Sequence, residues 1–452
     1  MSHTILSKWK EISQNLSPVE CLVSQALEDL ETGRPEQACE KFKQVDWKGL
    51  SEVQEAEGRY LFGIALSQVG RFNDSEDEFS LALLGTSEDS KVLEAWGVTL
   101  YEAGDHDEAA QKLQAALSTD PSNWSALYNL GNLLAQQGEY DEAINKYQTA
   151  LQINDSSIDL FICLGHVNCL KEEYKKGEEW FRQGLEKNPK EPLLHLWLGD
   201  ALDMQGESDN AIISYKTAVQ IDPFLPDAYE HWGAVLHRVG RSLEALGVLE
   251  QGLLHVPRDP VICLGMAQVL ADQSRLNEAL SMAEGAVSEL ELGEKGIGNE
   301  DLLANAHNGV GQILEALGEH EDALEHYYMS VAVSPTIKSG FDGIATIRGV
   351  YRENHWIWDI VVSIILKEEE EYRCFQSFEI ATLDESEAMR FIREYLEITA
   401  GEYLVDVKIE DAVRREQIAS YAGILAASEK ISVETESERD DTLGGSIPPG
   451  GG

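Results

Sequence analysis

The stretch that decides the fold is WSALYNLGNLLAQQGEYDEAINKYQTALQIND, residues 124–155. Its small residues Gly131 and Ala143 stand twelve positions apart, and the bulky Tyr147 follows four positions later. A small residue equivalent to Gly131 recurs every 34 residues along most of the chain: Ala26, Gly63, Gly97, Gly131, Gly165, Gly199, Gly233, Ala267 and Gly311. A fixed period of this kind indicates one supersecondary unit copied in tandem, which moves the question of function from catalysis to binding.

Other places in the period are equally regular. The place equivalent to Ala143 holds only small residues: Ala38, Ser75, Ala109, Ala143, Gly177, Ala211, Ala245, Ala279 and Ala323. The place of Tyr147 is bulky in every copy except one, which has Ala283. Small residues at facing places let two antiparallel helices approach closely, while the bulky residue fills the space beside them.

A glycine separates the two helices of most copies, where a left-handed residue ends the first helix. The glycines at this place are Gly33, Gly70, Gly104, Gly138, Gly206, Gly240 and Gly318. Glu172 and Ser274 hold the place in two copies.

The spacing resembles the tetratricopeptide repeat, a helix-turn-helix unit with a period of about 34 residues. The resemblance implies a mainly α fold, a right-handed α-solenoid of about nine to ten repeats. It places the solenoid at residues 19–337, with repeats at 19–52, 56–89, 90–123, 124–157, 158–191, 192–225, 226–259, 260–293 and 304–337. Residues 1–18 are then an N-terminal extension or helix. The insert at 294–303 is predicted to be a loop ahead of a helix that begins near Glu300, and this loop is a plain spacer, a hinge or a binding lip.

Residues 338–371 keep apolar side chains at helical spacing and are predicted to form a degenerate repeat or a pair of capping helices. Within them, the run WIWDIVVSIIL, Trp356–Leu366, is an alternative candidate for a membrane-surface helix or a buried strand. It is too short to span a bilayer, and the acidic residues that follow it would be repelled by anionic lipid.

The pattern of residues 372–433 alternates between apolar and polar, which predicts a small α+β module of the order strand, helix, strand, helix. The strands are expected around Cys374–Ile380 and Tyr403–Ile409, and the helices at Asp384–Thr399 and Glu410–Glu429. The acidic tail at 434–452, rich in Gly and Pro, is predicted to be disordered.

The net charge of the 452-residue chain is −46, and the acidity is spread along its length. This charge disfavours nucleic acid and anionic lipid as partners but admits a basic protein partner. No stretch approaches the roughly 18 apolar residues of a membrane-spanning helix, and the N-terminal residues lack a signal-peptide core. The six cysteines form no C-x-x-C pair. We therefore expect a cytoplasmic protein with reduced thiols.

In tetratricopeptide repeats the first helix of each unit lines a concave groove, and the resemblance carries this role to particular places of the repeat. Those places hold the candidate groove residues Tyr128, Asn129, Asn132, His166, Trp197, Asp200, Asp203, Glu230, His231, His237, Arg238, Asn305, Asn308 and Gln312. The set is polar, acidic and aromatic. It suits a peptide or helix whose backbone bonds the amides and whose Lys or Arg meets the carboxylates.

Catalytic motifs are missing from the sequence: it contains no P-loop, G-x-S-x-G, H-E-x-x-H or dinucleotide fingerprint. His231 and His237, with Asp227 and Glu230, could in principle hold a metal. Residues six apart on a helix point in different directions, however, so a polar groove wall is the preferred interpretation. The sequence thus predicts a protein that is not an enzyme and has no cofactor, metal or catalytic residue.

The function predicted from the sequence is a non-catalytic scaffold or adaptor that binds a peptide segment or subunit in its groove and supports assembly of a complex. One alternative is an accessory subunit of an enzyme, with activity or dimerisation in residues 372–433. The other is a peripheral membrane assembly factor that uses Trp356–Leu366.

Overall fold

The computed structural model describes residues 17–85, 89–293 and 299–334, together with the backbone of five strand segments between His355 and Glu434. The chain forms two compact units, Met1–Ser214 and Tyr215–Gly452. Among the helices in these ranges, none is long and apolar enough to cross a membrane.

Helices of the first unit follow one another in pairs joined by short turns. They are α1 (Pro18–Glu31), α2 (Pro35–Phe42), α3 (Glu52–Gln68), α4 (Phe72–Gly85), α5 (Ser90–Ala103), α6 (His106–Thr119), α7 (Trp124–Gln136), α8 (Tyr140–Ile153), α9 (Ile158–Leu170), α10 (Tyr174–Lys187) and α11 (Pro192–Met204). A short 3₁₀ helix, Trp47–Gly49, follows α2. Helix α12 (Ser208–Ile221) contains the boundary between the units.

The second unit continues the same pattern of paired helices. They are α13 (Pro226–Arg238), α14 (Ser242–His255), α15 (Pro260–Asp272), α16 (Leu276–Leu292), α17 (Asn299–Leu317) and α18 (His320–Val333). Helix α17 begins one residue before Glu300, where the sequence predicts a helix start. The loop predicted just before it, at 294–298, lies outside the described residues.

The turn between the two helices of each pair has the predicted left-handed backbone. Gly104 has φ 89° at the end of α5 and Gly138 has φ 81° after α7. Glu172 and Ser274, with φ 61° and 60°, adopt the same conformation without being glycine. The turn thus keeps its left-handed backbone at both residues, although a side chain costs about 1 to 2 kcal/mol in this conformation.

Where the first helix has glycine at its small place, the close packing of the helix pair depends on that glycine. A Cβ added at Gly131 would lie 2.5 Å from Cε1 of the buried Tyr147, and one added at Gly63 would lie 2.6 Å from Cε1 of Phe79. Ala143, at the second small place, is fully buried. The bulky side chain thus lies directly against the glycine, rather than only in the space beside the helices.

Beyond residue 334 the described backbone forms five antiparallel-paired strands of one sheet. They are β1 (His355–Lys367), β2 (Glu371–Thr382), β3 (Leu404–Ala419), β4 (Gly423–Ala427) and β5 (Ser432–Glu434). The strand order is β3-β1-β2-β4, and β5 also pairs with β2. The register places Trp356 opposite Thr382 of β2 and Ile418 of β3.

These strands correct two predictions. Trp356–Leu366, for which the sequence favours a capping helix and leaves a membrane-surface helix or a buried strand as alternatives, lies in β1. Its run of Ile and Val favours extended backbone, and β1 pairs on both sides. The helix expected at Glu410–Glu429 is replaced by strand, since β3 continues to Ala419 and pairs with β1 along its length. The described backbone of this region does not support a small α+β module.

The two strands predicted in this region fall within β2 and overlap β3. The helix predicted at Asp384–Thr399 lies outside the described residues. So do residues 1–16 of the predicted N-terminal extension and residues 435–452 of the predicted disordered tail.

Candidate binding surface

Three successive first helices of the first unit differ in charge from the helices that pair with them. The sequences of α7, α9 and α11 contain no Lys or Arg, and their only charged residues are Asp159, Asp200 and Asp203. The second helices α8 and α10 each carry both signs. We give the name first-helix surface to the residues Tyr128, Asn129, Asn132, His166, Trp197, Asp200 and Asp203. All the formal charge on this surface is therefore negative.

A hydrogen-bonded cluster fixes one end of the first-helix surface. The Tyr147 hydroxyl donates to Asn132 Oδ1 at 2.7 Å, and Cys163 Sγ lies 3.8 Å from the same oxygen. The Tyr128 ring packs against the Tyr147 ring with centroids 6.2 Å apart. Burial raises the pKa of the Tyr128 hydroxyl and raises that of the Cys163 thiol to about 11, so both groups stay neutral near pH 7.

His166 and Trp197 form the centre of the first-helix surface. The edge of one ring meets the face of the other, with centroids 5.4 Å apart. Burial lowers the pKa of His166, and the nearby Asp200 carboxylate partly opposes this shift. Trp197 is half-buried, so one part of the indole is fixed in the fold and the rest reaches the surface.

Candidates from the second unit make their own set of contacts. His231 Nε2 lies 3.7 Å from Glu230 Oε2, and the His231 ring meets Tyr215 edge-on at 5.9 Å. His237 uses both ring nitrogens, with Nδ1 2.8 Å from Ser242 Oγ and Nε2 2.8 Å from Asp272 Oδ2.

His237 therefore ties α13 to α14 and α15, and its ring is held in place by these contacts. Arg238, at the end of α13, is exposed. In the described part of the chain, no three His, Cys, Asp or Glu side chains converge so that they could hold a metal ion.

Residues predicted in the ninth repeat divide between surface and interior. Asn305 and Gln312 on α17 are exposed, but Asn308 is 8% exposed and packs inside. Glu315 Oε2 accepts a hydrogen bond of 2.8 Å from the Tyr327 hydroxyl, which links α17 to α18. Asn308 is thus badly placed for the groove contact that its position in the repeat suggested.

A family model of the tetratricopeptide repeat matches residues 94–158 and 171–226, which contain most of the first-helix surface. These two segments are tetratricopeptide repeats. The structure of yeast Tom70 covers 70% of this chain and 75% of its own, with 17% sequence identity and a TM-score of 0.50. At this identity the likeness shows the fold.

Two further tetratricopeptide repeat structures are similar to shorter parts of the chain. A protein from Parabacteroides merdae covers 56% of this chain and 99% of its own, at 20% identity and a TM-score of 0.45. YrrB, described as having an unusual peptide-binding site, covers 41% of this chain and 95% of its own, at 23% identity and a TM-score of 0.34. No curated protein sequence matches the chain.

Two exposed apolar residues of the tetratricopeptide repeats extend the first-helix surface, and the sequence prediction did not include them. Leu170 at the end of α9 is 47% exposed, and Met204 at the end of α11 is 59% exposed. They are separated by one full period and so hold the same place in neighbouring repeats. The resemblance assigns this place of the repeat to the groove. An apolar residue at this place was therefore the signal from which Leu170 and Met204 could have been predicted.

Proposed function

We propose that this tetratricopeptide repeat protein is a non-catalytic scaffold whose first-helix surface binds a partner segment containing apolar and basic side chains. The observation that carries the proposal is that α7, α9 and α11 lack Lys and Arg while presenting Trp197, Leu170 and Met204 at or near the surface. Protein interaction is the general role of tetratricopeptide repeats, and these residues give it a place on this chain.

The apolar part of the proposal follows from Trp197. A tryptophan fixed on one side and accessible on the other can bury more area without losing much conformational freedom. Tryptophan is also enriched among the residues whose truncation costs an interface most. With Leu170 and Met204 nearby in the repeat register, the surface offers a site for an apolar side chain of the partner.

The charged part follows from the acidic residues. The only formally charged residues of α7, α9 and α11 are Asp159, Asp200 and Asp203. These helices therefore attract a partner with Lys or Arg and do not repel it. Interactions between exposed charges weaken in salt. The affinity of such a partner should therefore fall as ionic strength rises.

The amide side chains suit a peptide backbone. Asn132 Oδ1 already accepts from the Tyr147 hydroxyl, which fixes the orientation of the amide. Its nitrogen carries two N–H donors, and a peptide carbonyl can accept from them. Half-buried Asn129 supplies a second amide one turn earlier.

Selection of random peptides displayed on phage against the full chain tests the proposal. We expect enrichment of peptides with an apolar residue flanked by Lys or Arg. For a selected peptide, Trp197→Ala should raise Kd at least about tenfold, the usual scale for losing an aromatic anchor. Raising NaCl from about 50 mM to about 500 mM should weaken binding several-fold.

The matched controls lie away from the first-helix surface. A second test variant, Met204→Ala, should also raise Kd, and Leu254→Ala on α14, which removes a side chain that is 82% exposed, is its control. Trp180→Ala, on the second helix α10, is the tryptophan control, since its side chain is half-buried like that of Trp197. Selected peptides that are acidic, or that bind the Trp197→Ala protein with unchanged Kd, would contradict the proposal.

A further inference from the structure

Within several repeats, the fourth residue of the repeat meets a residue 19 positions later on the second helix. We call this contact the cross-helix pair. In the second repeat it is an ion pair, with Arg59 Nη1 2.9 Å from Glu78 Oε2. In the fifth repeat it is a ring contact between Phe161 and Trp180, with centroids 6.4 Å apart. The same place is thus filled by different chemistry in different repeats.

In the ninth repeat the cross-helix pair consists of two histidines. The rings of His307 on α17 and His326 on α18 have centroids 5.2 Å apart, and their Nδ1 atoms are 3.1 Å apart. His307 is only 3% exposed and His326 is half-buried. This pair can change its charge in mildly acidic solution, unlike the Phe161 and Trp180 pair.

The facing nitrogens limit how many protons the pair can hold. A hydrogen bond between two Nδ1 atoms requires that one carries a proton and the other accepts it. One added proton can bind at an Nε2 atom and leave this bond in place. A second added proton must occupy the accepting Nδ1, so two N–H groups then face each other at 3.1 Å and two positive charges share a buried site.

Carboxylates surround the pair but leave the buried ring poorly compensated. Helix α16 supplies Glu284 and Glu291, and Glu291 Oε1 is 3.8 Å from His307 Nε2. Helix α18 itself adds Asp322 and Glu325, which act on His326. These groups favour protonation of His326, but burial outweighs them and lowers its pKa.

Several other titratable groups on the neighbouring helices are paired with other residues or stay neutral. On α17, Glu315 accepts from the Tyr327 hydroxyl and Asp301 accepts from Ser334 Oγ. On α15, Asp272 is bound by His237, and burial keeps the Cys263 thiol neutral by raising its pKa to about 11. Burial and the second ring together lower the pKa of His307 to about 4.

We propose that His307 and His326 form an acid-sensitive latch that holds α17 against α18 at neutral pH and releases the ninth repeat when both rings are protonated. The latch goes beyond the binding function, since it lies in the second unit and uses none of the first-helix surface. Release would uncover the buried faces of α17 and α18 while the cross-helix pairs of other repeats stay closed.

The direction of the pH effect follows from proton linkage. An exposed histidine binds its proton near pH 6.5, whereas folded His307 does so only near pH 4. The latch is therefore fully stabilising above about pH 6.5 and weakens steadily as pH falls towards 4. Between pH 7 and about pH 5, His307 alone should shift the opening equilibrium about 20-fold.

Hydrogen exchange of the full chain, followed by mass spectrometry of its peptides, tests the latch. After correction for the intrinsic exchange rate at each pH, peptides of α17 and α18 should lose about 20-fold or more of their protection between pH 7 and about pH 5. Peptides of α7 and α8 provide the internal reference and should change much less. Equal loss in both regions, or no loss in α17 and α18, would overturn the proposal.

Variants separate the latch from general acid sensitivity. The double variant His307→Phe with His326→Trp copies the fifth repeat and should abolish the acid response. His320→Gln, an exposed histidine on the same helix, is the matched control and should keep it. If the double variant fails to fold, His307→Gln keeps a polar partner for His326 but removes the ring from which the 20-fold change is calculated, so the response should fall several-fold. An unchanged response in the variant measured would refute the latch.

Discussion

Substitution of Gly131 by alanine is the most direct test of how the helix pairs pack. The added methyl carbon would lie 2.5, 2.8 and 3.0 Å from three carbons of the Tyr147 ring. Ordinary carbon contacts lie near about 3.5 to 4.0 Å, so the ring or the helix must move by about 1 Å. The ring is held by its buried position and by the 2.7 Å hydrogen bond from its hydroxyl to Asn132.

The expected magnitude is the difference between two opposing effects. Alanine in place of glycine inside a helix stabilises by about 1 kcal/mol. Overpacking of a filled core costs about 1 to 3 kcal/mol, and loss of the Tyr147 hydrogen bond costs about 1 kcal/mol more. We therefore expect Gly131→Ala to lower the free energy of unfolding by about 1 to 3 kcal/mol.

Urea unfolding, followed by far-UV circular dichroism, measures this change against a matched control. Gly247 on α14 has nothing within 4 Å of its added Cβ, so Gly247→Ala should raise the midpoint through helix propensity alone. The two substitutions are chemically identical and should have opposite signs. A Gly131→Ala protein that gains as much stability as Gly247→Ala would refute the packing argument.

Two further predictions concern the turns and the thiols. Gly104→Ala should lower the free energy of unfolding by about 1 to 2 kcal/mol because φ is 89°, and Glu172→Gly should raise it by up to about 1 kcal/mol by relieving φ 61°. Thermal unfolding should therefore show a lower Tm for the first protein and a higher Tm for the second. Shifts of the same sign would contradict this prediction. Burial raises the pKa values of Cys163 and Cys263 to about 11. Iodoacetamide should therefore alkylate these thiols much more slowly at pH 7.5 in the native chain than in urea. Equal rates would show that the thiols are accessible.

Much of the helical fold can be predicted from the sequence because its decisive contacts are local. Gly131 and Tyr147 belong to the same repeat, and Glu172 takes its backbone from its place in the turn. Both follow from the register of one repeat. The C-terminal region could not be predicted in this way, since the backbone at Glu410–Ala419 follows from pairing with β1, a strand that lies far earlier in the chain.

The candidate surface likewise contains some residues whose position the repeat pattern predicts and others whose position it does not. Tyr128 and Trp197 are half-buried on first helices, which their place in the repeat indicates. Asn308 holds the place of Tyr128 in its own repeat yet is buried, and His237 is occupied by Asp272 from the next repeat. Whether a side chain at a groove place is available depends on its partners in neighbouring repeats, which a single repeat pattern does not contain.

Hydrogen bonds between neighbouring repeats also bear on how the chain folds during synthesis. Gln54 donates to Glu20 at 2.7 Å and Asn123 donates to Ser90 at 2.9 Å, each across about one repeat length. A ribosome adds about 5 to 20 residues per second, so a repeat can dock within seconds of the one before it. By contrast, β1 must wait for Ile418 before Trp356 finds its partner on β3. The helical part can therefore fold in order from its first repeat, while β1 stays without β3 for several seconds and exposes an unpaired edge during that time.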